Sequence, residues 1–453
     1  MSAIDATVLA HAVGCHAAFR AHDASFTRLV PYSALRPERS AKGSRPKSHR
    51  RNRQPPPAGR SWAMTRSASI VVGAAAIALV LAACGGGDDA PERPAGDDAT
   101  VADDVPFDTS DWKTDFSEHS VPLDEFVGGG PPKDGIASID EPKFVAVAEA
   151  DEFLAAREPV AVVEVGGEVR AYPLQILTWH EIVNDAIAGE PVAVTYCPLC
   201  NSTVAFRREL DGQPVEFGTT GMLRNSDLVM YDRETESWWQ QITAEAVVGE
   251  LTGERLDVLA SQILSWEEFR RAHPDGQVLS RDTGFDRDYG QNPYASYDSD
   301  PNSQPFLLDS EADRSLPPKE RVAAVRTEER SAVVYPFSRL RDEAPINDEI
   351  DGRPVVVLFD PDVASALDTT LISDGRNVGA AAVFERTVDG RTLDFRAAPE
   401  SGTFRDAQTG STWDMSGRAT DGPLAGTRLE QVPHDDQFWF AIAAFFEDAD
   451  IRR

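Results

Sequence analysis

Cysteine is scarce in this 453-residue chain: there are four, and only Cys197 and Cys200 follow residue 84. Thiol chemistry in the body of the protein therefore has one place to occur. Histidine is nearly as rare there, with His119, His180, His273 and His434. Lysine is equally thin: beyond Cys84 the chain has Lys113, Lys133, Lys143 and Lys319. That stretch carries 32 Lys+Arg against 72 Asp+Glu, a net charge near −40. Such a surface repels nucleic-acid phosphate and anionic lipid headgroups, so no nucleic-acid partner is expected. Solubility is the simplest reason for the charge, ahead of a salty habitat. No Gly-x-Ser-x-Gly, His-Glu-x-x-His or nucleotide-binding fingerprint occurs. The Gly-rich Gly128-Gly129-Gly130-Pro131-Pro132 lacks the Gly-Lys-Ser/Thr that ends a phosphate loop. What the chain does have is 41% apolar residues over a length that allows a large core and more than one domain.

Long apolar runs are missing too. The longest uncharged stretch, Ser67 to Ala83, is short for a transmembrane helix but fits the h-region of an export signal. Met64-Thr65-Arg66 supplies a basic start, and Leu81-Ala82-Ala83-Cys84-Gly85 matches the bacterial lipobox, whose cysteine is acylated and becomes the new N-terminus. Residues 64–84 are thus expected to be a lipoprotein signal and Cys84 the lipidation site. The membrane would then be a partner through that lipid, with the protein on its extracytoplasmic face. Residues 1–63 carry 11 Lys+Arg against 3 Asp+Glu and include Pro55-Pro56-Pro57. They are expected to be a disordered basic extension, with Met64 the true start. Residues 85–110, rich in Gly, Asp, Pro and Ala, read as a flexible acidic tether.

The rest contains an internal duplication. Ala171-Tyr172-Pro173-Leu174 is echoed by Val334-Tyr335-Pro336-Phe337, and Asn184-Asp185 by Asn347-Asp348, at a constant offset of 163 (Tyr172 to Tyr335). Gly189-Glu190-Pro191-Val192 meets Gly352-Arg353-Pro354-Val355. After an insertion at about Ala364 to Ala381, Thr235-Glu236-Ser237-Trp238-Trp239 meets Thr409-Gly410-Ser411-Thr412-Trp413. The period is far longer than a solenoid repeat, so these are two domains or two halves of one. Each copy reads as mostly strands. Val160–Val165 and Glu168–Tyr172 flank Gly166-Gly167, a hairpin signal, and Asp211-Gly212 marks another between Thr203–Arg207 and Val215–Gly218. Leu174–Asn184, Trp266–Ala272 and Phe438–Phe446 read as short helices. The expected fold is mostly β with short helices (α+β), a tandem duplication of a β-rich unit: residues 111–320 form the first repeat and 321–453 the second. Trp238 and Trp239 are expected in the core.

Five strings together, Trp112-Lys113-Thr114-Asp115-Phe116-Ser117, Pro132-Lys133-Asp134-Gly135-Ile136, Trp179-His180-Glu181-Ile182-Val183-Asn184-Asp185, Thr195-Tyr196-Cys197-Pro198-Leu199-Cys200-Asn201 and Asn225-Ser226-Asp227-Leu228-Val229-Met230-Tyr231-Asp232-Arg233, carry a further signal. From Asp111 onward the chain resembles the bacterial and archaeal family known as domain of unknown function 3179. The resemblance implies membership and no particular activity.

The constellation able to carry chemistry is Cys197-Pro198-Leu199-Cys200 together with His180. A Cys-x-x-Cys turn brings two sulfurs to one side of a tight loop. The second copy offers Asp360, Val363 and Glu343 at these three positions while keeping Tyr, Pro, Asn and Asp around them. The duplicated framework therefore does not require the three residues, which favours a site in copy one. Three readings stay open: a structural disulfide, a transition-metal site for Zn or Cu, and thiol redox handling. Met222 would suit Cu(I), and Asn225 and Asp227 could face a pocket, though a core position and a turn explain them equally. Glu181 beside His180 is poor grounds for acid–base catalysis. Two rivals from other classes are a non-catalytic envelope scaffold or partner-binding module, and an enzyme with its site in the cleft between the repeats.

Overall fold

Gly166 and Gly167 sit at φ 59° and 84°, the left-handed pair that a two-residue hairpin turn demands. They join β1 (Pro159–Val165) to β2 (Glu168–Pro173). Leu174 then begins α1 (Leu174–His180), which ends because Glu181 takes φ 59°. The helix therefore stops short of the expected Asn184. Ile182 onward forms β3 (Ile182–Ile187), paired with β4 (Glu190–Cys197) from Ile182↔Thr195 to Ile187↔Glu190. The β-branched Ile182 and Val183 suit that strand better than a helix end.

From β4 the chain turns into β5 (Ser202–Arg207), in register Cys197↔Ser202. Asp211 and Gly212, at φ 50° and 73°, make the expected turn, but it closes only a two-residue ladder, and the flanking strands go to different sheets. The second sheet holds β6 (Phe217–Arg224), β7 (Asp227–Asp232), β8 (Trp238–Gln240) and β9 (Glu245–Val248). The copy closes with β10 (Ser261–Ser265), α2 (Trp266–Ala272) and β11 (Gln277–Leu279). Ser265 caps α2 by accepting from Glu268 N. β10 lies antiparallel to β1, and β11 parallel to β2.

The same order recurs in the second copy: β12 (Arg321–Glu328), β13 (Ser331–Pro336), α3 (Phe337–Glu343), β14 (Ile346–Ile350), β15 (Arg353–Asp360) and β16 (Ala380–Glu385). It continues with β17 (Phe395–Ala397), β18 (Thr403–Asp406), β19 (Thr412–Asp414) and β20 (Ala419–Asp421), and closes with β21 (Asp435–Phe438), α4 (Trp439–Phe445) and β22 (Asp448–Ile451). Here β21 is antiparallel to β12 and β22 parallel to β13. Side-chain links recur as well. Tyr172 and Tyr335 donate their hydroxyls to Asp185 and Asp348 at 2.5 and 2.8 Å. Trp239 and Trp413 donate Nε1 to Asp232 and Asp406 at 2.9 and 3.0 Å. The architecture is a mostly β fold with short helices.

This computed structural model describes residues 105–308, 311–328, 331–399 and 401–453. The basic extension, the signal and Cys84 lie outside the described residues. Among the described residues no helix is long and apolar enough to cross a membrane. Phe107, placed by sequence in the tether, stacks on Trp238 at 5.3 Å, so packed chain begins before Asp111. Trp238 and Trp239 are both fully buried.

The copies share their interiors. On β4, Val192, Val194 and Tyr196 pack with Val163 and Tyr172 of the same copy. The alternate residues Ala193 and Cys197 pack with Val322, Ala324, Phe438 and Ile442 of the second copy. Reciprocally, Val160, Val162 and Trp266 pack with Val356, Leu358 and Trp413. A strand covered on both faces reads as a near-continuous apolar run, as 192–196 does.

Asn184 shows how one recurring link differs between the copies. Its amide donates to Asp140 and to Phe217 O, and accepts from Phe217 N, at 2.8, 2.9 and 3.0 Å, the two bonds to Phe217 being buried. Asn347 spans Phe395 N and O in the same way but is exposed. Asn184→Ala strands two buried backbone groups and should cost about 3 kcal/mol, whereas Asn347→Ala should cost about 1 kcal/mol. Urea denaturation of both variants checks this; equal losses would refute it.

Candidate metal centre

Cys197 is the last residue of β4 and Cys200 stands on the turn into β5, where Asn201 at φ 53° sends the chain back. Asp227 opens β7, directly after a two-residue turn in which Asn225 and Ser226 take φ 49° and 68°. One sulfur from each cysteine and one carboxylate oxygen of Asp227 lie within 4.8 Å of one another, and all three residues are buried. Both cysteines are free thiols. Ser226 O accepts from both, at 3.8 Å from Cys197 Sγ and 3.5 Å from Cys200 Sγ. The turn is tied to the second copy: Phe438 N donates to Cys200 O at 2.9 Å, and Asn201 donates to Asp436 O at 3.1 Å.

The profile of a family described as "Protein of unknown function (DUF3179)" matches residues 133–449, most of the chain. The chain belongs to that family. No curated protein and no solved structure matches it.

Electrostatically, the DUF3179 site is a pocket of acids, and among the described residues neither Asp227 nor Glu181 forms an ion pair. Burial pushes the Asp227 carboxyl up to about 6, even though Gln240 Nε2 and Ile242 N donate to its Oδ2 at 2.7 and 3.1 Å. Its Oδ1 is buried without a geometric hydrogen-bond partner, and the Cys200 and Cys197 thiols also pull the carboxyl down. Burial, with Asp227 adding to it, raises Glu181 to about 8, the Tyr294 hydroxyl pulling the other way. Burial also raises both thiols, Cys200 well above the ordinary range. Two thiols and a carboxylate within 4.8 Å are a donor set that suits a divalent ion of the zinc type.

His180 does not join this group. Its Nδ1 lies 2.7 Å from Ala137 O and its Nε2 2.6 Å from the Tyr289 hydroxyl. A carbonyl can only accept, so Nδ1 carries the proton and Tyr289 donates to Nε2. Burial lowers this imidazole to about 4 and keeps it neutral. Its two bonds join the end of α1 to the segment holding Tyr289. Met222 also stays away from the sulfurs, packing with the residues around Trp238. Asn225 is half-buried in the turn. Of the pocket residues expected from sequence, Asp227 is the one at the cluster. Glu181 is the residue whose importance sequence reasoning missed. A lone acid between Trp179–His180 and the apolar Ile182–Val183 was the available signal.

In the second copy, Asp360 ends β15 in the register of Cys197. Glu268 feels its charge and is bridged to Arg271 at 2.6 Å. Asp360 and Glu268, an acid of the first copy near it, are thus accompanied by the Arg271 guanidinium. Between the copies lie a void of about 20 Å³ beside Tyr196 and Arg321 and an open cleft of about 540 Å³ beside Arg281 and Tyr289. The Arg281 and Glu158 side chains of that cleft are both tied up by Gln175.

Proposed function

We propose that this chain is an exported lipoprotein whose body holds a divalent d-block ion, zinc above copper, at Cys197, Cys200 and Asp227. The observation that carries the reading is the buried triad of donor atoms within 4.8 Å of one another, one of them on Asp227, a side chain that keeps one buried oxygen without a geometric hydrogen-bond partner. Buried carboxylates are ordinarily paired or metal-bound. Copper is disfavoured because Met222, the soft donor it would want, packs elsewhere. Thiol redox exchange needs an accessible thiolate, and burial opposes both conditions here. The anchor rests on the basic, apolar and small-small-Cys order of residues 64–85, with acylation at Cys84; it hangs the acidic body on the extracytoplasmic side of the membrane.

Protein purified without oxygen should carry about one zinc-type ion per chain. The ion should be absent from Cys197→Ser and from Asp227→Asn and retained in His180→Ala. Metal analysis with thiol counting reads this directly. A metal-free protein with Cys197 and Cys200 joined as a disulfide would refute the reading in favour of a structural bridge. Separately, Cys84→Ala should abolish incorporation of labelled fatty acid, and undiminished labelling would refute the anchor.

A further inference from the structure

Three protein donors leave a zinc-type ion one short of the four it takes in a closed site, and Cys197, Cys200 and Asp227 are all buried from solvent. We infer that Glu181 supplies the fourth donor, making a closed centre of two thiolates and two carboxylates that takes a borderline divalent ion. The inference rests on the metal reading above and specifies its coordination.

Three independent observations converge on Glu181. First, it is a buried carboxyl on which Asp227 and the Tyr294 hydroxyl act, and among the described residues no cation is found acting on it. Carboxylates seldom persist in the interior without a cation or metal to answer them. Second, its backbone is fixed beside the sulfurs. Tyr196, the residue before Cys197, donates its N–H to Glu181 O at 2.8 Å. Glu181 itself is held at φ 59° between α1 and β3. Its carboxylate stands outside the 4.8 Å group of the other three donors. The side chain is nevertheless close enough for its charge to act on Cys197 and to be acted on by that of Asp227. Third, the second copy has changed every donor. At the offset of 163, Glu181 meets Ala344 and Cys197 meets Asp360, while Asn184 and Asp185 meet Asn347 and Asp348. Cys200 meets Val363, and, counting back from the matched Asp232 and Asp406, Asp227 meets Ser401. A carboxyl kept for the framework would have no reason to disappear together with the sulfurs. Two thiolates and two carboxylates carry the same formal charge as the four-cysteine sites that hold zinc stably.

The test uses the full-length chain, loaded with Zn(II) for X-ray absorption and with Co(II) for its ligand-field spectrum. The wild type should show two sulfur neighbours at about 2.3 Å and two oxygen neighbours at about 2.0–2.2 Å. Glu181→Gln keeps the shape but not the anionic oxygen. It should weaken zinc binding by more than the roughly 10–100-fold that loss of an outer hydrogen-bond partner costs, and it should change the cobalt spectrum. Unchanged affinity and an unchanged spectrum in Glu181→Gln would overturn the fourth ligand while leaving the three-donor site standing. A wild type that binds no zinc would overturn the metal reading itself. Should Glu181→Gln fail to fold, a structure of the zinc-loaded wild type decides alone: a Glu181 oxygen at about 2.0–2.2 Å supports the inference, and one beyond about 3 Å overturns it.

Discussion

Stripping the metal should lower the melting temperature of the wild-type chain by roughly 8 °C or more, and should leave Cys197→Ser unmoved. The ion would join pieces that are otherwise linked only through the fold: the end of β4, the turn into β5 and the first residue of β7. That turn is in turn bonded to β21 through Cys200 O and Asn201, so the cross-link reaches the second copy. An ion present at about a thousand times its dissociation constant stabilises the native state by about 4 kcal/mol. A chain of this size converts each kcal/mol into roughly 2 °C at the low end of the range. Without the ion, two carboxyl groups whose ionisation burial opposes remain enclosed together. Circular dichroism melts with and without chelator make the measurement. Coincident wild-type curves would refute the claim.

Asp436→Asn should make the protein more stable at pH 8 to 9 and leave it nearly unchanged at pH 4. Burial pushes the Asp436 carboxyl up to about 8, outweighing the N–H that Ala381 donates to it at 2.9 Å and the nearby Arg321. Its Oδ1 is buried without a partner. In the unfolded chain an aspartate releases its proton near pH 4. Between pH 4 and pH 8 the native state therefore holds a proton that the unfolded state has lost. Stability falls across that window as pH rises, and levels off above it. The amount at stake is up to about 5 kcal/mol. Asparagine can still accept from Ala381 and has no proton to lose, so the variant should lack this part of the decline. Other buried acids titrate in the same range, so the informative quantity is the difference between variant and wild type in urea denaturation at pH 5 and pH 9. A difference that does not grow with pH would refute the assignment.

The framework was legible because its signals are local. Gly166-Gly167 between β-branched runs specifies a hairpin wherever it occurs, and Ser265 followed by Glu267 and Glu268 announces α2 at its observed start. The duplication was legible because Tyr172, Asn184, Trp239 and their partners keep fixed spacing. The end of α1 was not, since only Glu181's left-handed backbone breaks the helix there, and propensity says little about such a turn in an acid. At the site, Cys197 and Cys200 were legible from their spacing. Asp227 was half legible, as a charge opening an apolar strand. His180 was expected beside the sulfurs because it is rare and belongs to the same copy. The direction a side chain takes from a helix end is a tertiary matter, and Ala137 and Tyr289 claim both of its nitrogens. Glu181 could be recognised only once its burial and its neighbours were known.

The crossed packing of the copies, with Phe206 against Phe438 and Trp266 against Trp413, has a bearing on descent. A gene that shed either copy would encode sheets with one face bare to water, so after the doubling the two halves could only be inherited together. Freedom to diverge was left at the strand ends that the shared packing does not fix. The end of β4 carries sulfur, and the end of β15 carries instead a loop from about Ala364 to Ala381 that β4 lacks. The duplication thus left one corner of a shared core in which the two halves differ while the strands around it stay the same.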